Sequence, residues 1–299
     1  MIGLIGLGKM GLNLIKNMAK QQLDPVGFDI DQKTYPKLTQ ANIKTASSLV
    51  RLIEILPKPR TVMLLLPSGA ITQNCFEELL TLLEPGDVII DAGNSHYQDS
   101  IKRYQAAQTK KIDFMDCGTS GGQSGALNGA CLMVGGDLKV VQKYEEIFKK
   151  LAVTNGYLHT GAAGSGHYCK MIHNGIEYGM MQAIAEGYEL LQNSEFDFDL
   201  AQVSKMWNHG SVIRSWLIEL AQAAFENNNA LDNISGVVNM NGEGLWTVEE
   251  AMKQGTPAPV IALSVIMRQR SKQQDTFAGK VLAALRNGFG GHEIQYTKK

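Results

Sequence analysis

At 299 residues, with 44% hydrophobic content and 31 glycines, the chain has room for two domains whose cores need no disulfide or metal staple. A formal net charge of −1 and the lack of any basic block argue against nucleic acid and acidic membrane surfaces as partners. The four cysteines, Cys75, Cys117, Cys131 and Cys169, form no CxxC pair, which predicts reduced, mostly buried thiols in a cytoplasmic protein and argues against a metal site. No apolar run reaches the roughly 18–20 residues that span a bilayer, and Met1 to Ile5 opens straight into a strand where a signal peptide would carry a basic start.

The first half reads as alternating strands and helices. Ile2 to Ile5 is a short buried strand, followed by Gly6-Leu7-Gly8-Lys9-Met10-Gly11 and a helix from about Met10 to Lys20. This is G-x-G-x-x-G in its strand–turn–helix setting, where glycines let the backbone approach a pyrophosphate at a helix N-terminus. The next strand, Val26 to Asp29, ends in an acid 18 residues after Gly11, close to the spacing of a carboxylate that binds adenine-ribose hydroxyls. Asp29 is followed by Ile30, which offers no cation to a 2′-phosphate, so NAD is favoured with NADP possible; Asp31 shares the neighbourhood.

Further strands are expected at Thr61–Leu66, ending at Leu66-Pro67-Ser68-Gly69, at Val88–Asp91, at Asp113–Cys117 and at Ala130–Val134. Helices are expected near 71–83 and from Asp137 to about Leu151. Such alternation predicts a doubly wound, Rossmann-type sheet, with ligands beyond the carboxyl ends of its strands. There lie Leu66, Pro67, Asn94 and Ser120-Gly121-Gly122, although Asn, Ser and Gly are also ordinary turn formers.

Gly161-Ala162-Ala163-Gly164 marks a boundary, predicting a dinucleotide-binding domain over 1–163 and an all-α domain over 164–299. Helices are expected near Ser165–Gln192, Leu200–Trp207, Ser211–Glu226, Thr247–Lys253, Val260–Arg270 and Phe277–Asn287, with Asp199, Asp232 and Thr247 as caps. Gly288, Gly290 and Gly291 suggest a hinged tail. Within the first of these helices, Lys170, His173, Asn174, Glu177 and Tyr178 fall at i, i+3, i+4, i+7 and i+8, a single polar face. Met171, Ile172, Ile176, Met180 and Met181 make the rest apolar, so the stripe either lines a cavity or faces solvent.

Gly6–Gly11, Asp91-Ala92-Gly93-Asn94-Ser95, Gly118-Thr119-Ser120-Gly121-Gly122, Lys170 to Tyr178, and Arg286-Asn287-Gly288-Phe289-Gly290-Gly291-His292 occur in the order seen in the decarboxylating 6-phosphogluconate dehydrogenases. The chain resembles the short, NAD-preferring form of that family over nearly its whole length. The resemblance implies oxidation and decarboxylation of 6-phospho-D-gluconate in pentose phosphate or gluconate metabolism, without a metal. It implies Lys170 as base, Glu177 as acid, and Asn174 and His173 on the substrate hydroxyls. It further implies Asn94, Ser120, Gly121, Gly122, Tyr178, Arg268 or Arg270, Arg286 and His292 as substrate ligands. In a homodimer or homotetramer the tail would complete a neighbouring site. One departure stands out: where long members carry a lysine in Gly-x-Gly-Lys-Trp-Thr, this chain has Leu245.

Two rivals remain open. A non-decarboxylating 3-hydroxyacid dehydrogenase, like 3-hydroxyisobutyrate dehydrogenase, shares Lys170 and Asn174 but has no use for an acid at Glu177 or for a phosphate-binding tail. A silent NAD-binding regulator would keep the stripe for structure alone.

Overall fold

The computed structural model describes residues 1–295, without the side chain of Phe289. The chain divides into two compact units, Met1–His173 and Asn174–Lys299.

The first unit is one eight-stranded sheet. In chain order its elements are β1 (Ile2–Ile5), α1 (Lys9–Lys20), β2 (Pro25–Phe28), α2 (Tyr35–Gln40), β3 (Lys44–Thr45), α3 (Leu49–Ile55) and β4 (Thr61–Leu64). They continue with α4 (Ala70–Leu82), β5 (Val88–Asp91), α5 (Tyr97–Thr109), β6 (Asp113–Ser120), α6 (Gly122–Asn128), β7 (Ala130–Gly136), α7 (Leu138–Leu151) and β8 (Ala152–Gly161). The strand order is β3-β2-β1-β4-β5-β6-β7-β8, and only the β6–β7 pair is antiparallel.

Strands β1, β4 and β5 are buried at every position, as central parallel strands with both faces covered must be. One face packs Leu14, Ile15 and Met18 of α1 with Val141 and Phe148 of α7. The other packs Leu52 of α3, Phe76 and Leu79 of α4, and Phe114 of β6. Because β1 sits between β2 and β4, the strand order reverses at β1/β4, the switch point where such sheets hold ligands.

The stretch between Asp31 and Arg60 supplies a 3-10 turn, α2, β3 and α3, elements absent from the expectations above, although Leu49, Leu52, Ile53 and Leu56 fall at i, i+3, i+4 and i+7 behind the Ser48 cap of α3. Only Cys117 of the four free cysteines is buried; Cys75 is half-buried, and Cys131 and Cys169 are exposed, contrary to the expectation of mostly buried thiols.

Under the loop after β5 lies a fully buried ion pair. Asp91 Oδ2 receives Arg103 Nη1 at 2.7 Å and the Ser95 hydroxyl at 2.8 Å, while Arg103 Nε donates to Gln73. These bonds fix the segment that bears Asn94.

Helix α8 (Ser165–Gln192) starts in the first unit and runs on into the second. There follow α9 (Leu200–Trp207), α10 (Trp216–Asn227), α11 (Glu243–Gln254), α12 (Pro259–Arg270) and α13 (Phe277–Gly290). Among the described residues the second unit's buried cluster is Tyr188, Leu200, Ala201, Ile218 and Phe225.

Several expectations are corrected here. Asp199 caps α9 by accepting from Gln202 N, but Thr247 lies inside α11, donating to Glu243 O, and Asp232 accepts from the Asn228 side chain. Residues 211–215 form a turn, and Ser215 caps α10 instead. Helix α13 absorbs Gly288 and Gly290, leaving Gly291 (φ 63°) as its left-handed cap, so the glycine hinge shrinks to one residue. The apolar side of α8 is buried only in part, since Ile176 and Met180 are exposed. Among the described residues no helix is long and apolar enough to cross a membrane.

Arg103→Leu strands the buried Asp91 carboxylate and is expected to lower the unfolding free energy by about 3–5 kcal/mol. Urea denaturation measures it, and a loss below about 1 kcal/mol would show that the pair does not hold the loop.

Candidate functional site

Each unit carries its own set of site residues. In the first, Gly6 takes φ 97° and donates its N–H to Phe28 O (2.9 Å), turning the chain sharply out of β1. Asp29 Oδ2 accepts from Leu7 N (2.6 Å) and Oδ1 from Asp31 N (2.8 Å), so the acid is stitched beside the glycine loop. Ile30 is 92% exposed and carries no charge, and Lys33 Nζ lies 3.7 Å from Asp31 Oδ2. The Tyr35 hydroxyl donates to Ala46 O (2.8 Å) behind Asp29, and burial raises its pKa.

Helix α1 begins at Lys9 and Met10 with Gly8 as its N-cap, and no side chain satisfies its first N–H groups. Gly8 has an ordinary φ of −63°, and a Cβ there would meet nothing within 4 Å. The protein's own fold therefore does not require glycine at this position. Gly11 is different, since a Cβ there would strike the Gly6 carbonyl. The open space over Gly8, the helix end without a side-chain cap and the acid just after β2 fit a dinucleotide's pyrophosphate and ribose.

Leu66 and Pro67 follow β4 at the switch point. The Thr72 hydroxyl holds Pro67 O (2.7 Å), and Leu66 O comes so close to Gly93 that a Cβ there would stand 2.7 Å away. Next along, Asn94 Oδ1 accepts from Lys170 Nζ (3.1 Å), and Lys170 is 8% exposed. Ser120 Oγ lies 3.2 Å from His173 Nε2. Gly121 (φ 120°) and Gly122 (φ 57°) turn the chain from β6 into α6. Burial pushes the nearby Cys117 thiol up to about 12, so it stays protonated and inert at neutral pH.

In the second unit, α8 continues with buried Asn174, half-buried Glu177 and buried Tyr178. The Tyr178 hydroxyl donates to Asn241 Oδ1 (3.1 Å), and the Arg268 guanidinium stacks 3.5 Å over the Tyr178 ring. Arg268 also donates to Asn239 O (3.2 Å). Arg270 turns away and donates to Gln273 O (2.6 Å). The structure thus brings Arg268, and not Arg270, to Tyr178. Arg286 lies exposed on α13 and His292 exposed just past it. The Asn287 amide holds His292 O (2.9 Å). Leu245 is half-buried on α11. Asn241 carried no sequence signal, being one polar residue in an irregular segment. Asp116 had one, as a charge inside the apolar strand Phe114-Met115-Asp116-Cys117.

A family model described as the NAD binding domain of 6-phosphogluconate dehydrogenase matches residues 1–161. Another, described as the C-terminal domain of 6-phosphogluconate dehydrogenase, matches residues 166–284. YqeC of Bacillus subtilis, provisionally named a 6-phosphogluconate dehydrogenase, is 51% identical over 98% of this chain and 99% of its own. A Haloferax volcanii protein named NAD(+)-dependent, decarboxylating 6-phosphogluconate dehydrogenase is 38% identical over 98% of each chain. The solved 6-phosphogluconate dehydrogenase of Plasmodium falciparum superposes with TM-score 0.84 at 30% identity, covering 99% of this chain and 66% of that one.

Gly8→Ala is expected to leave stability within about 0.5 kcal/mol, because no protein atom opposes the new methyl group. NADH affinity, followed by fluorescence titration, should fall by about tenfold or more. Unchanged NADH affinity would mean that nothing approaches the backbone there.

Proposed function

Because the chain belongs to the 6-phosphogluconate dehydrogenase family, we propose that it converts 6-phospho-D-gluconate to D-ribulose 5-phosphate and CO2, reducing NAD. One observation carries the reading. The buried Lys170 amine is anchored on Asn94, and the same helix bears His173, Asn174, Glu177 and Tyr178 at one- and two-turn spacing. The Asp29 carboxylate and the bare Ile30 support a preference for NAD, as does the name of the Haloferax relative.

When bound, the nicotinamide supplies the hydride acceptor. Lys170, in its neutral form, takes the C3 hydroxyl proton as the hydride leaves that carbon. Asn174 holds the reacting hydroxyl, and His173, paired with Ser120, holds its neighbour. The resulting C3 ketone accepts the electron pair released when the C1 carboxylate departs as CO2. Lysine, now protonated, donates to the developing enolate oxygen. Glu177 then protonates the carbon that lost the carboxylate while Lys170 takes back the proton from the enol oxygen, leaving the ketone. Ser120 and the Gly121–Gly122 backbone bind the departing carboxylate before it leaves. Arg268, steadied on Tyr178, binds the 6-phosphate together with Arg286, and Leu245 contributes no charge. Exposed free thiols at Cys131 and Cys169 suit a reducing cytoplasm.

Purified protein given NAD and 6-phosphogluconate is expected to release one CO2 per NADH, with NADP used less well. Lys170→Ala should abolish hydride transfer, and Glu177→Gln should slow turnover by about 10²-fold or more while NADH still binds. NADH formed without CO2 would point to a non-decarboxylating hydroxyacid dehydrogenase instead.

We further propose a homodimer, or a tetramer built from it, in which the tail of one subunit serves the other's site. The long rows of exposed apolar residues on α12 and α13, among them Val260, Leu263, Ile266, Phe277, Leu282 and Leu285, support an association face. A mixed dimer of Lys170→Ala and His292→Ala chains tests the tail. In trans, one site carries both lesions and the other none, so activity returns to about half; in cis, mixing restores nothing.

A further inference from the structure

The mechanism above uses Lys170 and Asn94 but leaves unexplained what keeps Asn94 aimed at the amine. Asn94 sits on a loop, and loops are the mobile parts of a fold. Gly93, the residue before it, is held at both its N–H and its carbonyl. Gly93 N donates to Asp91 Oδ1 (3.2 Å). Gly93 O lies 3.1 Å from Nε2 of His167. His167 stands one turn before Lys170 on α8 and is 2% exposed.

The tautomer of His167 follows from its partners. A carbonyl oxygen only accepts, so Nε2 carries the hydrogen. Nδ1 lies 2.7 Å from the Ser100 hydroxyl on α5 and 3.9 Å from Asp116 Oδ2. The backbone of His167 is itself pinned. Its N–H donates to Asp116 Oδ2 (2.8 Å), and Asp116 Oδ1 takes Gly164 N (2.6 Å). A buried carboxylate on β6 thus caps the first turn of α8, with its charge at the positive end of the helix. The ring is oriented by α5, its backbone by β6, and its Nε2–H by the loop after β5.

We propose that His167 is a positioning residue. Its Nε2–H holds the Gly93–Asn94 peptide so that Asn94 Oδ1 keeps the Lys170 amine in line for proton transfer. The bridge and the lysine contact join the same helix to the same loop one turn apart, so together they fix both distance and angle. The catalytic part of this inference rests on the dehydrogenase reading; the positioning part does not.

The test compares His167→Gln, whose amide nitrogen reaches the place of Nε2, with His167→Asn, which reaches only the place of Nδ1. Ser100→Ala serves as a milder variant that leaves the ring but removes its second anchor. Two quantities are read in each. One is kcat with 6-phosphogluconate and NAD. The other is the rate at which acetic anhydride labels Lys170, measured by peptide mass spectrometry. His167→Asn is expected to lose about 10–100-fold in kcat, the scale of a misplaced catalytic group, with KM and NADH affinity within about twofold. Its Lys170 should label several-fold faster as the amine leaves Asn94. His167→Gln should stay within about threefold of the parent in both readings, and Ser100→Ala should fall between. Equal kcat in the Gln and Asn variants, or a Ser100→Ala protein identical to the parent in both readings, overturns the proposal. If the parent protein does not turn over 6-phosphogluconate, the dehydrogenase reading falls. The labelling rates then decide the positioning alone, and unchanged labelling in His167→Asn overturns it.

Discussion

The first turns of α8 lie directly on the backbone of β6 and β7, with room only for hydrogen atoms between them. A Cβ on Gly166 would stand 2.8 Å from both Asp116 O and Gly135 N. A Cβ on Gly118 would strike Lys170 Cβ and stand 2.8 Å from Gly166 O. Three glycines on three elements therefore set the depth at which the helix sits. That depth decides where the Lys170 and His173 side chains emerge. Lys170 reaches the loop after β5 and His173 the end of β6, each within hydrogen-bonding distance of a polar side chain. A single methyl group on any of the three would lift the helix and shift both side chains at once, because close-packed interiors transmit strain.

The buried charges follow from the same constraint. A helix start brought this close to a sheet would bury N–H groups without partners, an arrangement that costs free energy unless something accepts them. Asp116 is that acceptor. Its own burial is in turn tolerable because helix N–H groups and the dipole stabilise the anion. Asp91 and Arg103 solve the neighbouring problem beneath the loop after β5, where a carboxylate and a guanidinium neutralise each other with additional bonds from Ser95 and Gln73. The polar residues in this part of the sheet are thus consequences of placing a helix and a loop where a lysine must meet an asparagine.

In the second unit the same device recurs with side chains in place of strands. Gly175 of α8 faces Thr247 of α11, where a Cβ would lie 2.9 Å from its Oγ1. Gly244 of α11 faces the Tyr178 ring so closely that no methyl group fits. Tyr178 is thereby clamped between a glycine and the Arg268 guanidinium, with its hydroxyl tied to Asn241. A rigid aromatic surface under an arginine limits the guanidinium's freedom and leaves its planar fork presented in one orientation. Among the described residues the unit's buried apolar cluster is small, and α12 and α13 expose many apolar side chains.

The sequence by itself determined the doubly wound first half, the glycine loop with its acid at Asp29, and the polar face of α8. Each of these is written in a local period or spacing: buried runs for parallel strands, glycines before a helix, polar residues at three- and four-residue steps. Features set by contacts between distant residues were not legible in it. α2 and the two-residue β3 are too short to carry a period, whereas α3 does have one in Leu49, Leu52, Ile53 and Leu56 behind Ser48. Thr247 fell inside a helix because Gly242, at φ 94°, could start that helix earlier. Arg268 and Arg270 are two residues apart and alike in sequence. They point to different partners because residues at i and i+2 lie on different faces of a helix, and only tertiary packing decides which face meets Tyr178. The anchoring of Asn94 through His167, Ser100 and Asp116 joins four segments separated by up to 74 residues. Chain pattern encodes which way a side chain faces its own helix or strand; what it meets there is decided only when the elements pack.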